Sequence, residues 1–220
     1  MNWVEKFQLF LFDFDGLLVN TEAMHYQAYV NLMDHLGFQL DWSFTKYLGL
    51  AHLNATTIRN ELYAQFPDLP SNWDELYAKK KQIYFELLGS GKVELMSGVE
   101  PLLTLLSQKE IRRCVVTHSA IPEVGLIRSQ HPILQTIPLW ITREDYLKPK
   151  PDPECYLRAI QLYGKKGDRI IGFEDSIRGL QALKQTPATP VLICSPHHPL
   201  LEIGAEGINY FESFEKITDI

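Results

Sequence analysis

An α/β fold, a doubly wound parallel sheet interrupted by a helical insert, is what this sequence predicts, and three observations predict it. Short apolar runs alternate with helix-patterned segments through most of the 220 residues. About seventy residues after the first run carry helical spacing and no strand pattern. Acidic, hydroxyl and lysine residues stand at the ends of four successive runs.

Residues 8–14 form a short apolar run that ends in acid and read as a buried strand. Comparable runs are 111–117, 137–142, 169–173 and 190–194, each bounded by polar, Gly or Pro residues. Helical segments 99–108, 122–129, 153–163 and 176–184 lie between them. Strands and helices alternating at this spacing imply βαβ units and a parallel sheet covered on both faces. The exception is 21–94, where His25, Tyr29, Leu32, Met33 and Leu36 recur at helical spacing. Leu62, Tyr63 and Phe66 continue the pattern, then Leu76, Ile83, Tyr84 and Leu87. Residues 1–20 and 95–220 therefore form the α/β core, and 21–94 a helical domain returning through Gly89-Ser90-Gly91.

A chain of this length buries a sizeable core. The net charge of −6 argues against nucleic acid, which selects a basic face, but leaves room for a small anionic substrate. Cys114, Cys155 and Cys194 are odd in number and far apart, which suits reduced thiols. No apolar run approaches the ~20 residues needed to cross a bilayer, and residues 1–11 do not resemble a signal peptide. The expectation is a cytoplasmic enzyme, monomeric, with neither membrane nor nucleic acid as a partner.

In open parallel sheets ligands bind beyond the carboxyl ends of the strands. At that edge the first strand offers Asp13 and Asp15, the second Thr117 and Ser119, the third leads to Lys148, and the fourth ends in Glu174 and Asp175. Carboxylates so gathered repel, by several kcal/mol for two charges ~4 Å apart. A hard divalent cation relieves this, and an all-oxygen set suits Mg2+. One Asp left to attack phosphorus would give an aspartyl-phosphate. A second Asp, two residues on and on the same side of an extended strand, could protonate the leaving oxygen and then activate water. Thr117 and Lys148 would hold the phosphate oxygens, and Gly16 would allow a tight turn.

Singly, each feature has an ordinary explanation. Acids favour helix N-termini, so Glu174 and Asp175 could simply precede a cap, and Lys148 could be a solvated side chain in a proline-stiffened loop. Their joint order, one element per strand, is what these explanations do not supply. With that order in view, the chain resembles the haloacid dehalogenase-like superfamily, in its β-phosphoglucomutase-like phosphatase branch. The likeness rests on Phe12-Asp13-Phe14-Asp15-Gly16-Leu17-Leu18-Val19-Asn20-Thr21-Glu22, Val115-Val116-Thr117-His118-Ser119, Lys148-Pro149-Lys150-Pro151-Asp152-Pro153 and Gly172-Phe173-Glu174-Asp175-Ser176-Ile177-Arg178-Gly179.

The resemblance implies a Rossmann-like core with an inserted α-helical cap domain. It implies Asp13 as nucleophile and magnesium ligand, with Asp15 as general acid/base that also lends its backbone carbonyl to the metal. Glu174 and Asp175 would complete the metal shell, and Thr117, Ser119 and Lys148 would hold the phosphoryl group. In the cap it singles out His25, His52 and Lys81 as substrate-side residues. An acid at Asp15 disfavours dehalogenase chemistry, which needs no protonated leaving oxygen. His52 where the sugar-phosphate mutase has an arginine, together with the unusual His118, favours a phosphatase of small phosphomonoesters over a mutase. A catalytically idle homologue is the reading from another class, and the filled motifs speak against it.

Overall fold

The computed structural model describes residues 2–51, 53, 56–195 and 208–220. Its backbone separates into two units, 1–20 with 94–220, and 21–93. In the first unit β1 (Leu9–Phe12) is followed, past the second unit, by α5 (Val99–Gln108), β2 (Arg112–Val116), α6 (Ile121–Gln130) and β3 (Leu139–Ile141). Then come α7 (Glu154–Tyr163), β4 (Ile170–Glu174), α8 (Ile177–Lys184), β5 (Thr189–Ile193) and β6 (Asn209–Phe211). The strands form one sheet of order β3-β2-β1-β4-β5-β6, with every pair parallel.

The sequence of β1 explains its central place. All four residues, Leu-Phe-Leu-Phe, are buried, as a parallel strand covered on both faces requires. The side-chain period of two divides them. Leu9 and Leu11 join Cys114, Val116, Tyr156 and Leu183 on one face. Phe10 and Phe12 stack on Phe173 on the other, where Trp3 and Phe214 close the aromatic cluster. Truncating Phe12 to Ala would cost ~3–5 kcal/mol.

β1 is also where the strand order reverses, since β2 and β3 lie on one side of it and β4 and β5 on the other. Such a switch point opens a crevice beyond the strand ends. The register sets Phe12 beside both Val115 and Phe173. The residues that follow, Asp13, Thr117 and Glu174, therefore come out at one edge.

The second unit holds α1 (Glu22–His35), α2 (Phe44–Ala51), α3 (Thr57–Gln65) and α4 (Trp73–Ser90). Tyr29, Met33, Trp42, Tyr47, Ile58 and Leu62 make its core. Gly89 and Ser90 finish α4, and Gly91 caps it with its N–H donating to the Leu87 carbonyl, so the glycine-rich return belongs to the helix end. Strand β6 was not expected. It has three residues and is half-exposed at the sheet edge, too short to register as a run.

The three cysteines are free and buried. Among the described residues no helix is long and apolar enough to cross a membrane.

Candidate active site

Asp13 directly follows β1. Its amide donates to the Phe173 carbonyl at 3.0 Å, which fixes it against β4. The chain then turns at Gly16, whose φ of +79° strains any residue with a Cβ. The turn closes with the Gly16 amide on the Val19 carbonyl at 2.8 Å.

Inside that turn Asp15 is gripped from β2. Its Oδ2 accepts from Ser119 Oγ at 2.6 Å and from Thr117 Oγ1 at 3.1 Å. Thr117 Oγ1 in turn accepts from the Ser119 amide at 2.9 Å. Both hydroxyls expected to meet phosphate thus orient the second carboxylate.

The expectation for Lys148 is corrected. Its side chain is 73% exposed and comes no nearer a carboxylate than 3.9 Å, at Asp152. The lysine in the site is Lys150, 10% exposed, whose Nζ donates to Asp13 Oδ1 at 2.5 Å, Glu174 Oε1 at 2.7 Å and the Val116 carbonyl at 3.0 Å. It also lies over the Tyr156 ring, 4.8 Å from the centroid. A buried ammonium persists only where opposite charge offsets its lost hydration, and Lys150 has two carboxylates for that. Glu154 holds the backbone of the same loop, accepting the Leu147 and Lys148 amides, both at 2.9 Å. The missed signal was register: both lysines precede proline, and only their distance from α7 separates them.

Glu174 is fully buried at the end of β4. It accepts from Tyr156 Oη as well as from Lys150, and from Ser176 Oγ at 3.2 Å. A Cβ on Gly179 would sit 1.9 Å from the Glu174 carboxyl, so the glycine of that motif is the space the carboxylate occupies. Tyr156 is a functional residue the sequence reading passed over. It looks like one more inward position of α7, and only its hydroxyl distinguishes it.

Asp13, Glu174 and Asp175 bring one carboxylate oxygen each within 4.8 Å of the others. Burial, reinforced by Glu174 and Asp15 and opposed by Lys150, pushes the Asp13 carboxyl up to about 8. A nest so short of positive charge fits a hard divalent cation, and its donors are all oxygen.

In the helical unit His25 meets Lys80. Its Nζ donates to His25 Nδ1 at 2.6 Å and lies over the Tyr29 and Tyr84 rings. Lost hydration and the neighbouring Lys80 hold the His25 imidazole down at about 3, so it is neutral. Lys81, the lysine expected on the substrate side, is half-exposed over Tyr77, 5.4 Å from its ring centroid. Helix phase decides between them, because Leu76, Lys80, Tyr84 and Leu88 form the buried i, i+4 stripe of α4 and Lys81 is turned off it. His52 lies outside the described residues.

Known proteins are similar to this chain. Protein CbbY of Cereibacter sphaeroides is 27% identical over 183 residues, covering 79% of this chain and 78% of that protein. The 2-deoxyglucose-6-phosphate phosphatase 1 of Saccharomyces cerevisiae is 29% identical, covering 91% and 86%. A crystal structure of CbbY from Rhodobacter sphaeroides in complex with phosphate superposes with a TM-score of 0.78 at 21% identity, over 97% of both chains. Residues 10–192, from β1 through most of β5, match the family described as haloacid dehalogenase-like hydrolase. The chain belongs to the haloacid dehalogenase-like hydrolases.

Proposed function

We propose that this chain hydrolyses a small phosphomonoester, a phosphorylated carbohydrate, through a phosphoryl group carried transiently on Asp13, with Mg2+ as cofactor. The observation that carries this reading is the convergence of Asp13, Glu174 and Asp175 on one cluster, with Lys150 bound to two of them.

An Asp13 oxygen attacks phosphorus in line with the ester oxygen, forming the acyl phosphate as the P–O ester bond breaks. Asp15 donates its proton to the departing alkoxide. Both hydroxyl bonds fall on Oδ2, so the mobile proton belongs to Oδ1. Asp15 then takes a proton from water, which attacks phosphorus, freeing phosphate and restoring Asp13. Lys150 supplies positive charge as the phosphoryl oxygens gain negative charge. Thr117 and Ser119 stand close enough to Asp15 to share those oxygens. Glu174 and Asp175, with Asp13, would hold Mg2+, which supplies charge neutralisation that lets one anion approach another.

The substrate class follows from the relatives, one of which is a phosphatase of a hexose phosphate. The test is phosphate release from a panel of phosphorylated carbohydrates with Mg2+ and with excess chelator. Release that needs Mg2+ and disappears in Asp13→Asn is expected. Full activity in Asp13→Asn would overturn the reading.

A further inference from the structure

His118 is the one polar side chain of the second motif to which the chemistry above gives no work. It stands between Thr117 and Ser119, whose hydroxyls bind Asp15, and its ring is exposed. The hydrogen bonds around it fix its tautomer. Tyr146 Oη donates to the Thr117 carbonyl at 3.1 Å, and a carbonyl only accepts. The single hydroxyl proton is thereby committed. The contact of 2.8 Å between Tyr146 Oη and His118 Nδ1 must therefore be donated by the histidine. In the neutral ring this leaves Nε2 with a lone pair and no proton.

The surroundings favour the neutral ring. Partial burial and the positive charges of Arg143, Lys150 and Arg178 hold the imidazole below its ordinary value, and Glu144 opposes them only weakly. An acceptor nitrogen repels a phosphate or carboxylate, which also only accept, and suits a hydroxyl, which donates.

We propose that His118 is a specificity-determining residue whose Nε2 accepts a hydrogen bond from a hydroxyl on the substrate's alcohol portion. This rests on the phosphatase reading, in which the ester oxygen is delivered to Asp15. The alcohol portion then leaves Asp15 beside Thr117 and Ser119, the residues that flank His118, and His118 stands close enough to Lys150 of the site to feel its charge.

Glycerol 3-phosphate and propyl phosphate make a matched pair, with and without hydroxyls on the same chain length. The ratio of their kcat/KM values should fall about three- to tenfold in His118→Ala, the size of one exposed neutral hydrogen bond. Nitrogen-15 spectra of the imidazole should show the Nδ1–H tautomer at neutral pH, and Tyr146→Phe should let the Nε2–H form appear. An unchanged ratio in His118→Ala, or an Nε2–H ring in the parent chain, overturns the proposal and leaves the phosphatase reading standing. A parent chain that releases phosphate from neither ester nor from any member of the carbohydrate panel with Mg2+ present overturns both.

Discussion

Each unit of this molecule withdraws one lysine from water, and the two are stabilised by different chemistry. In the α/β core, Lys150 lies between the carboxylates of Asp13 and Glu174. In the helical unit, Lys80 donates to a neutral imidazole and rests on two tyrosine faces. The first arrangement holds charge where a reaction creates more of it; the second holds a helix pair together. A lysine's function therefore follows from where its site lies, since burial alone is common to both.

The largest expected effect separates the two lysines of the proline loop. Lys150→Ala leaves Asp13 and Glu174 facing each other unpaired, and turnover should fall at least ~100-fold. Lys148→Ala should stay within about twofold, as its side chain is solvated. Steady-state kinetics on both variants decide it, and the reverse pattern would return the site to Lys148.

Next in size is Gly179→Ala, whose Cβ would overlap the Glu174 carboxyl. Moving a ligand in this way should weaken Mg2+ binding by ~10–100-fold. Calorimetric titration measures this without turnover, and unchanged affinity would remove Glu174 from the metal shell.

In the helical unit the effects should be on stability. Lys80→Met gives up a hydrogen bond and two cation–π contacts, for a loss of ~1–2 kcal/mol. Lys81→Met should stay within ~0.5 kcal/mol. Chemical denaturation compares the pair, and equal losses would erase the distinction between buried and exposed lysine.

The last effect is a slope in pH. His25 titrates near 6.5 when unfolded and at about 3 when folded, so between those values the unfolded chain binds the extra proton. Stability from this group is present above pH 6.5 and is lost as pH falls toward 3, by up to ~1.4 kcal/mol per unit. His25→Gln should flatten that part of the melting-temperature profile. A profile that overlies the parent's would mean that His25 is already charged in the fold.

The same contrast explains what the sequence made legible. Strand-end residues were readable because a strand buried on both faces is a short apolar run, and the residue that ends it is placed by register. Asp13, Asp15, Thr117, Ser119, Glu174 and Asp175 all come out at one sheet edge for that reason. Lys148 was misread because a loop has no period, and two Lys-Pro steps in succession look alike until one finds carboxylates. Lys80 was passed over by a single residue of helix phase, since the stripe through Leu76, Tyr84 and Leu88 passes through it. Tyr156 was hidden by its ring, which satisfies the apolar pattern while its hydroxyl serves Glu174. Strand β6 is three half-exposed residues at an edge, with too little apolar pattern to read.

The central claim is that Asp13 carries the phosphoryl group, and it is tested most directly by trapping that group. The chain is mixed with a phosphomonoester that it turns over, in the presence of Mg2+, quenched in acid within one turnover, digested and mass-analysed. A phosphorylated peptide containing Asp13 is expected in the parent chain and none in Asp13→Asn. Phosphate on another residue, or turnover with no phosphorylated peptide at any quench time, would contradict it.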